Sequence, residues 1–236
     1  LTWWFGIPSS SSHALIGGVV GAVVVSKGLY ALKVEGILRI VGSLVFSPVI
    51  AMALGLMIMT AIFWIFRNSL PSVLNARFRR LQILSAAMMS FSHGSNDAQK
   101  AMGIITLSLL SAGYLPSLDV PLWVKLACAV SMGMGTAAGG WRIIKTMGGK
   151  IFKLEPPSGF AADLNSSVVI FGATLLHLPV STTHVVSGSI MGVGAAKRIN
   201  AVRWGVAQQM LAAWVLTIPC TAAVSALVYK LLALVL

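Results

Sequence analysis

Long apolar runs alternate with short basic or hydroxyl-rich punctuation along the whole chain, and most are long enough to cross a bilayer. Residues 36–66 form one such run, with Pro48 inside it as a tolerated kink, and Arg67, Arg77, Arg79 and Arg80 follow it. Residues 81–112 are apolar at both ends but carry Ser92-His93-Gly94-Ser95-Asn96-Asp97-Ala98-Gln99-Lys100 in the middle, which predicts a span broken there. A third run, 122–144, ends in Arg142, Lys145, Lys150 and Lys153, ahead of the loop signal Pro156-Pro157-Ser158-Gly159. Residues 161–195 and 204–236 complete the set, divided by Lys197, Arg198 and Arg203.

The positive-inside rule turns these clusters into a topology. Residues 67–80, 145–153 and 197–203 fall on the cytoplasmic side, and 113–121, which has Asp119 and no Lys or Arg, falls outside. Residues 161–195 must then enter and leave on one side, as a re-entrant hairpin with its tip at Pro179 to Thr183. The segment Pro8-Ser9-Ser10-Ser11-Ser12-His13 returns 171 residues later as Pro179-Val180-Ser181-Thr182-Thr183-His184, and the match continues through Gly21 and Gly192 to Pro48 and Pro219. One unit has been used twice. The first copy, Leu1 to about Val25, is expected to form a matching hairpin entering from the outside, although Lys27, Lys33 and Arg39 leave some positive charge there. The expected fold is therefore an all-α membrane protein, an inverted-repeat transporter with two re-entrant helical hairpins and discontinuous transmembrane helices. Its expected division is a first-repeat portion (1–66), a basic cytoplasmic loop (67–80) and a second repeat (81–236).

Composition agrees. At 57% hydrophobic and 9% charged, with a mean hydropathy of +0.91, the chain lacks the polar groups to cover a soluble surface. A net charge of +12 raises a nucleic-acid alternative, but the basic residues sit at the edges of apolar runs, so the expected partner is the bilayer and not nucleic acid. Cys128 and Cys220 lie in apolar stretches without metal-ligand spacing and read as small buried hydrophobes. The opening at Leu1, without a charged n-region or cleavage site, reads as a fragment rather than a signal peptide.

The duplicated tips carry the candidate chemistry. Hydroxyls and free backbone N–H groups at the start of a half-helix suit an anion, and the helix end adds about half a positive charge. Phosphate, sulfate and a carboxylate all fit, and close helix packing is the structural alternative. Asp97 is the acid expected within a span, and an ionised carboxylate there needs a cation: Na⁺, a proton, or Lys100 three residues on. Unwound carbonyls near Gly94 are expected to add oxygen ligands. The spacing of His13, His93, His177 and His184 matches no zinc signature, so no metal site is assigned, and His13 and His184 read as partners of the tips or as proton-sensitive gates. The run from Gly133 to Gly140 reads as helix packing and lacks the Lys-Ser/Thr ending of a phosphate loop.

These residues resemble the inorganic phosphate transporter (PiT) family in its bacterial form. The resemblance rests on Phe91 to Lys100, on the tips Pro8 to Gly18 and Pro179 to Gly188, and on Trp3-Trp4-Phe5-Gly6-Ile7-Pro8 and Gly139-Gly140-Trp141-Arg142. It implies a phosphate symporter of the bacterial inner membrane, not an enzyme, without a cofactor and driven by Na⁺ or H⁺. Asn96 and Asp97 would coordinate the coupling ion, with Asn96, Ser10, Ser11, Ser12, Ser181, Thr182 and Thr183 lining phosphate. His13, His93, Gln99, Lys100 and His184 would support or gate the site. Relatives with Gln-Lys after Asn-Asp can move a neutral metal–phosphate complex with a proton, and Gln99 and Lys100 match them, which favours H⁺. The resemblance also suggests homodimers. Ser95 departs from the usual Ala or Gly, the loop 67–80 is short, and the counterpart of Asp97 would precede Leu1, so the chain is expected to be an N-terminally truncated member unable to transport alone. A sulfate or other oxyanion transporter, an anion channel and an intramembrane Ser/His enzyme are the rival readings; the duplication of the tip argues against the last.

Overall fold

The computed structural model describes residues 2–235, and its regular elements are all helical. They are α1 (Ser11–Lys27), α2 (Val34–Ile65), α3 (Pro71–Ser111), α4 (Leu122–Gly139), α5 (Trp141–Lys145), α6 (Pro156–Leu175), α7 (Thr182–Lys197) and α8 (Trp204–Leu232). A π-helical turn, Thr146–Ile151, follows α5, and 3₁₀ turns at Leu29–Ala31 and Ile199–Ala201 join α1 to α2 and α7 to α8. Of these helices, α2, α4 and α8 are long and apolar enough to cross a membrane.

From the tips onward, the duplicated sequence forms matching elements. Ser10 caps α1 and Ser181 caps α7, each accepting from the backbone N–H three residues on. Each capped helix then leads through a 3₁₀ turn into a long helix with an internal proline, Pro48 or Pro219. The copies pack crosswise, α1 on α8 and α2 on α7. Glycine permits this. A Cβ on Gly188 or Gly192 would strike the Pro48 or Met52 carbonyl of α2, and one on Gly17 or Gly21 would strike the Ile218 or Ala222 carbonyl of α8.

Several sequence expectations need correction. The span predicted to break at Ser92 to Lys100 is one continuous helix, α3, of 41 residues. No proline interrupts that stretch, so its helical backbone hydrogen bonds continue through it. The carbonyls near Gly94 are therefore not free to bind ions. Residues 71–80, expected as loop, form the first turns of α3 because Pro71 sits at N1, where its missing N–H costs nothing. Pro156-Pro157 likewise opens α6 instead of forming a loop, with the Glu155 N–H donating to Ser158 Oγ at 2.8 Å.

α6 and α7 form a helix–turn–helix whose open ends meet at the Glu155–Lys197 ion pair, 3.0 Å apart. In the first copy, Thr2–Gly6 is a turn, so among the described residues that copy shows a tip and one helix. A buried cluster including Met59, Phe78, Ile151, Ala161 and Val193 fixes the ends of α2, α6 and α7 against the start of α3. Cys128 is buried and Cys220 exposed, which corrects the pairing of the two as buried. Gly133 and Gly135 of α4 meet no neighbour; in that stretch the Gly139 carbonyl accepts from Trp3 Nε1 at 2.8 Å.

Gly192→Ala should destabilise the crossing by about 1–3 kcal/mol, since the opposing atoms are backbone and cannot retreat. Gly103→Ala, whose Cβ meets open space, should be neutral or stabilising. Thermal unfolding in detergent checks this; equal midpoints for the two variants would refute the glycine account.

Candidate functional site

The two tips meet each other, and they do so reciprocally. Ser12 Oγ donates to the Val180 carbonyl at 3.2 Å, while Thr183 Oγ1, the repeat mate of Ser12, donates to the Ser9 carbonyl at 3.3 Å, Ser9 being the repeat mate of Val180. The same exchange anchors each tip to the long helix of the other copy. Ser43 Oγ of α2 donates to the Pro179 carbonyl at 2.6 Å, and its repeat mate Trp214 in α8 donates through Nε1 to the Pro8 carbonyl at 3.2 Å. The rings of His13 and His184, a further repeat pair, lie 4.5 Å apart. Contacts in which i touches j and the mate of i touches the mate of j are those of a two-fold interface.

α3 delivers the charges to this junction. Ser11 and Thr182, again repeat mates, donate to one atom, Asp97 Oδ2, at 3.4 and 3.2 Å. Lys100 Nζ donates to Asp97 Oδ1 at 3.0 Å, to Ser12 Oγ at 2.8 Å, to the Val180 carbonyl at 2.9 Å and to Asn96 Oδ1. Helical spacing explains the focus, since residues three and four apart share a face. His93 Nε2 lies 3.4 Å from Asp97 Oδ2, and Asn96 Nδ2 donates to Thr174 Oγ1 of α6 at 3.1 Å. The Asp97 and Lys100 side chains are only 11% and 16% exposed, so each charge relies on the other.

The tip hydroxyls thus divide their tasks. Ser10 and Ser181 serve as helix caps, Ser12 and Thr183 bind tip to tip, and Ser11 and Thr182 face Asp97. Among the described residues, the backbone N–H groups of Ser11, Ser12, Thr182 and Thr183 find no acceptor in the chain, so the N-termini of α1 and α7, whose hydroxyls share Asp97, each keep unused donors. A cavity of about 690 Å³ lies between α3 and α4, lined by His93, Gly94 and Thr136 but not by Asp97.

Not every candidate is brought in. Gln99 is exposed on the far side of α3 and makes no hydrogen bond among the described residues, because one residue of helix turns it about 100° from Lys100. His13 Nδ1 lies 2.7 Å from Ser10 Oγ, as a partner of the tip should. His184 instead stacks on Trp214 at 3.7 Å, with Nδ1 3.5 Å from the Leu44 carbonyl that Pro48 deprives of its helical N–H. A catalytic set does not form: His13 meets Ser10, but Asp97 is engaged by Lys100, His93, Ser11 and Thr182. Ser43, Trp214 and Thr174 were missed in the sequence. The 171-residue offset links Ser43 to Trp214, the one available signal.

A family description of phosphate transporters matches residues 1–225. The chain belongs to the phosphate transporter family. It is 51% identical to a probable low-affinity inorganic phosphate transporter of Bacillus subtilis (strain 168), over 98% of this chain and 70% of that protein. A protein of the same description from Rhizobium meliloti (strain 1021) is 49% identical over 97% of this chain and 69% of its own length. A solved structure described as the sodium-dependent phosphate transporter superposes with a TM-score of 0.82, at 26% identity, covering 98% of this chain and 75% of that one. These relatives are transporters, which removes the enzyme reading.

A double-mutant cycle tests the buried pair. In Na⁺-free buffer, Asp97→Asn and Lys100→Met should each destabilise by about 3–5 kcal/mol, since each strands the other charge. The double variant should lose less than the sum, by about 1–3 kcal/mol. Additive losses would mean that the two residues do not act as a pair.

Proposed function

We propose that this family member carries out phosphate symport by alternating access, with phosphate held at the paired tips and the coupling cation held at Asp97. The observation that carries the reading is convergence: two helix N-termini with free N–H groups and hydroxyls meet on one charged pair. A phosphate there would exchange water for several charge-assisted hydrogen bonds. The reciprocal contacts support two repeats related by a pseudo-two-fold axis. In the membrane they would be inverted, with α6–α7 as a re-entrant hairpin and the tip before α1 as its mate. Residues 1–66 and 81–236 then belong to the two repeats, joined by the basic segment 67–80 on the cytoplasmic side of a bacterial plasma membrane. The tip-to-tip bonds describe an occluded arrangement, and opening to either side requires breaking one set of them.

Coupling follows from shared residues. Ser11 and Thr182 bind Asp97 from opposite tips, so a cation that restrains the carboxylate also restrains the tips. Phosphate affinity must therefore depend on the cation, and cation affinity on phosphate, by the same factor.

The test is radiolabelled phosphate uptake into proteoliposomes holding the full-length protein, under an imposed proton gradient or a Na⁺ gradient, with and without a divalent metal. Saturable uptake driven by one gradient is expected, and Asp97→Asn should abolish the driven component. Uptake that never saturates would indicate a channel, and sulfate uptake without phosphate uptake would correct the substrate. Normal driven uptake in Asp97→Asn would overturn the role given to that residue.

A further inference from the structure

The Lys100 ammonium occupies a position built like an alkali-cation site. Four oxygens of four chemical kinds surround Nζ: the Ser12 hydroxyl, the Asn96 amide oxygen, the Asp97 carboxylate and the Val180 backbone carbonyl. An ammonium has three N–H groups to donate, so this shell holds more acceptors than the group can satisfy singly. Hard cations take such mixed shells of carboxylate, amide and backbone carbonyl oxygens. Two of the four oxygens come from the opposed tips, so whatever cation sits here joins the tips and neutralises Asp97 at once.

We propose that Lys100 is a tethered coupling cation, a covalently attached substitute for a diffusible Na⁺ in this site, and that removing its side chain opens the site to Na⁺. The proposal rests on the symport reading and names the group that sets its ion dependence. A cation attached to the chain cannot be released to either side of the membrane, so the site as it stands takes up no Na⁺. The titratable groups that face Lys100 are Asp97 and, through Asp97, His93, both on α3. The tips contribute hydroxyls and a carbonyl, and α6 contributes Thr174 through Asn96. Chain length separates this role from a plain structural ion pair: Lys100→Ala and Lys100→Ser empty the shell, whereas Lys100→Met keeps it filled by an uncharged chain.

The experiment has two readouts on the full-length protein. In the first, thermal stability in Na⁺ is compared with K⁺ and choline at equal ionic strength. Na⁺ should raise the midpoint of Lys100→Ala and Lys100→Ser by roughly 2–4 °C, leaving the unmutated protein and Lys100→Met unchanged. In the second, phosphate uptake by the unmutated protein should ignore Na⁺, whereas uptake by Lys100→Ala or Lys100→Ser should rise roughly tenfold with Na⁺. A Na⁺-specific effect on the unmutated protein overturns the proposal, whether or not the variants fold. So does the absence of Na⁺ stabilisation in both folded short-chain variants. Na⁺ stabilisation of those variants in a protein that carries no phosphate under any gradient would instead retain the tethered cation and remove the symport reading.

Discussion

A largely buried carboxylate is the constraint from which this architecture follows. Leaving a buried Asp97 unpaired would cost several kcal/mol, and the chain offsets that cost with one ammonium, one imidazole and two hydroxyls. Those partners come from three helices. Satisfying the charge therefore requires the tips before α1 and α7 to be in place together, which links local electrostatics to tertiary structure.

The tips can meet there because one unit serves twice. Each is shaped by a proline, stopped by a capping serine and held by a donor from the other copy's long helix, Ser43 or Trp214. Glycines then let each short helix descend against the opposite long one at backbone contact. The reciprocity has a mechanical consequence. In the proposed transport cycle, releasing one set of these equivalent bonds or the other would give two alternative states. Alternating access requires such bistability.

Much of this could be read in the sequence, and the failures have physical causes. Pro-hydroxyl-His repeats located both tips because capping and proline chemistry are local. The three apolar spans emerged as helices because bilayer length and hydropathy are also local properties. The break proposed at Ser92 to Lys100 did not occur: polarity in a span suggests unwinding, but here i, i+3 and i, i+4 pairing within an intact helix satisfies the polar groups. Gln99 enters the expected site only through the family resemblance, and helical rotation turns it outward. Lys100 was considered as a partner for Asp97, but its bonds to Ser12 and Val180 could not be anticipated, since they span the tertiary fold. Trp214 is, by pattern, one more aromatic in an apolar run, and only its repeat mate Ser43 hints at its bond to a tip.

The central claim is that the charge on α3 holds the two tips together. The most direct measurement is oxidative cross-linking between cysteines placed at Ser9 and Thr183, whose segments are bonded at 3.3 Å, after replacement of Cys128 and Cys220. Rapid cross-linking in the otherwise unmutated protein, slowed markedly by Asp97→Asn, is the result this account predicts. Cross-linking at the same rate with and without the Asp97 carboxylate would contradict it, because the tips would then be held by something other than the charge they surround.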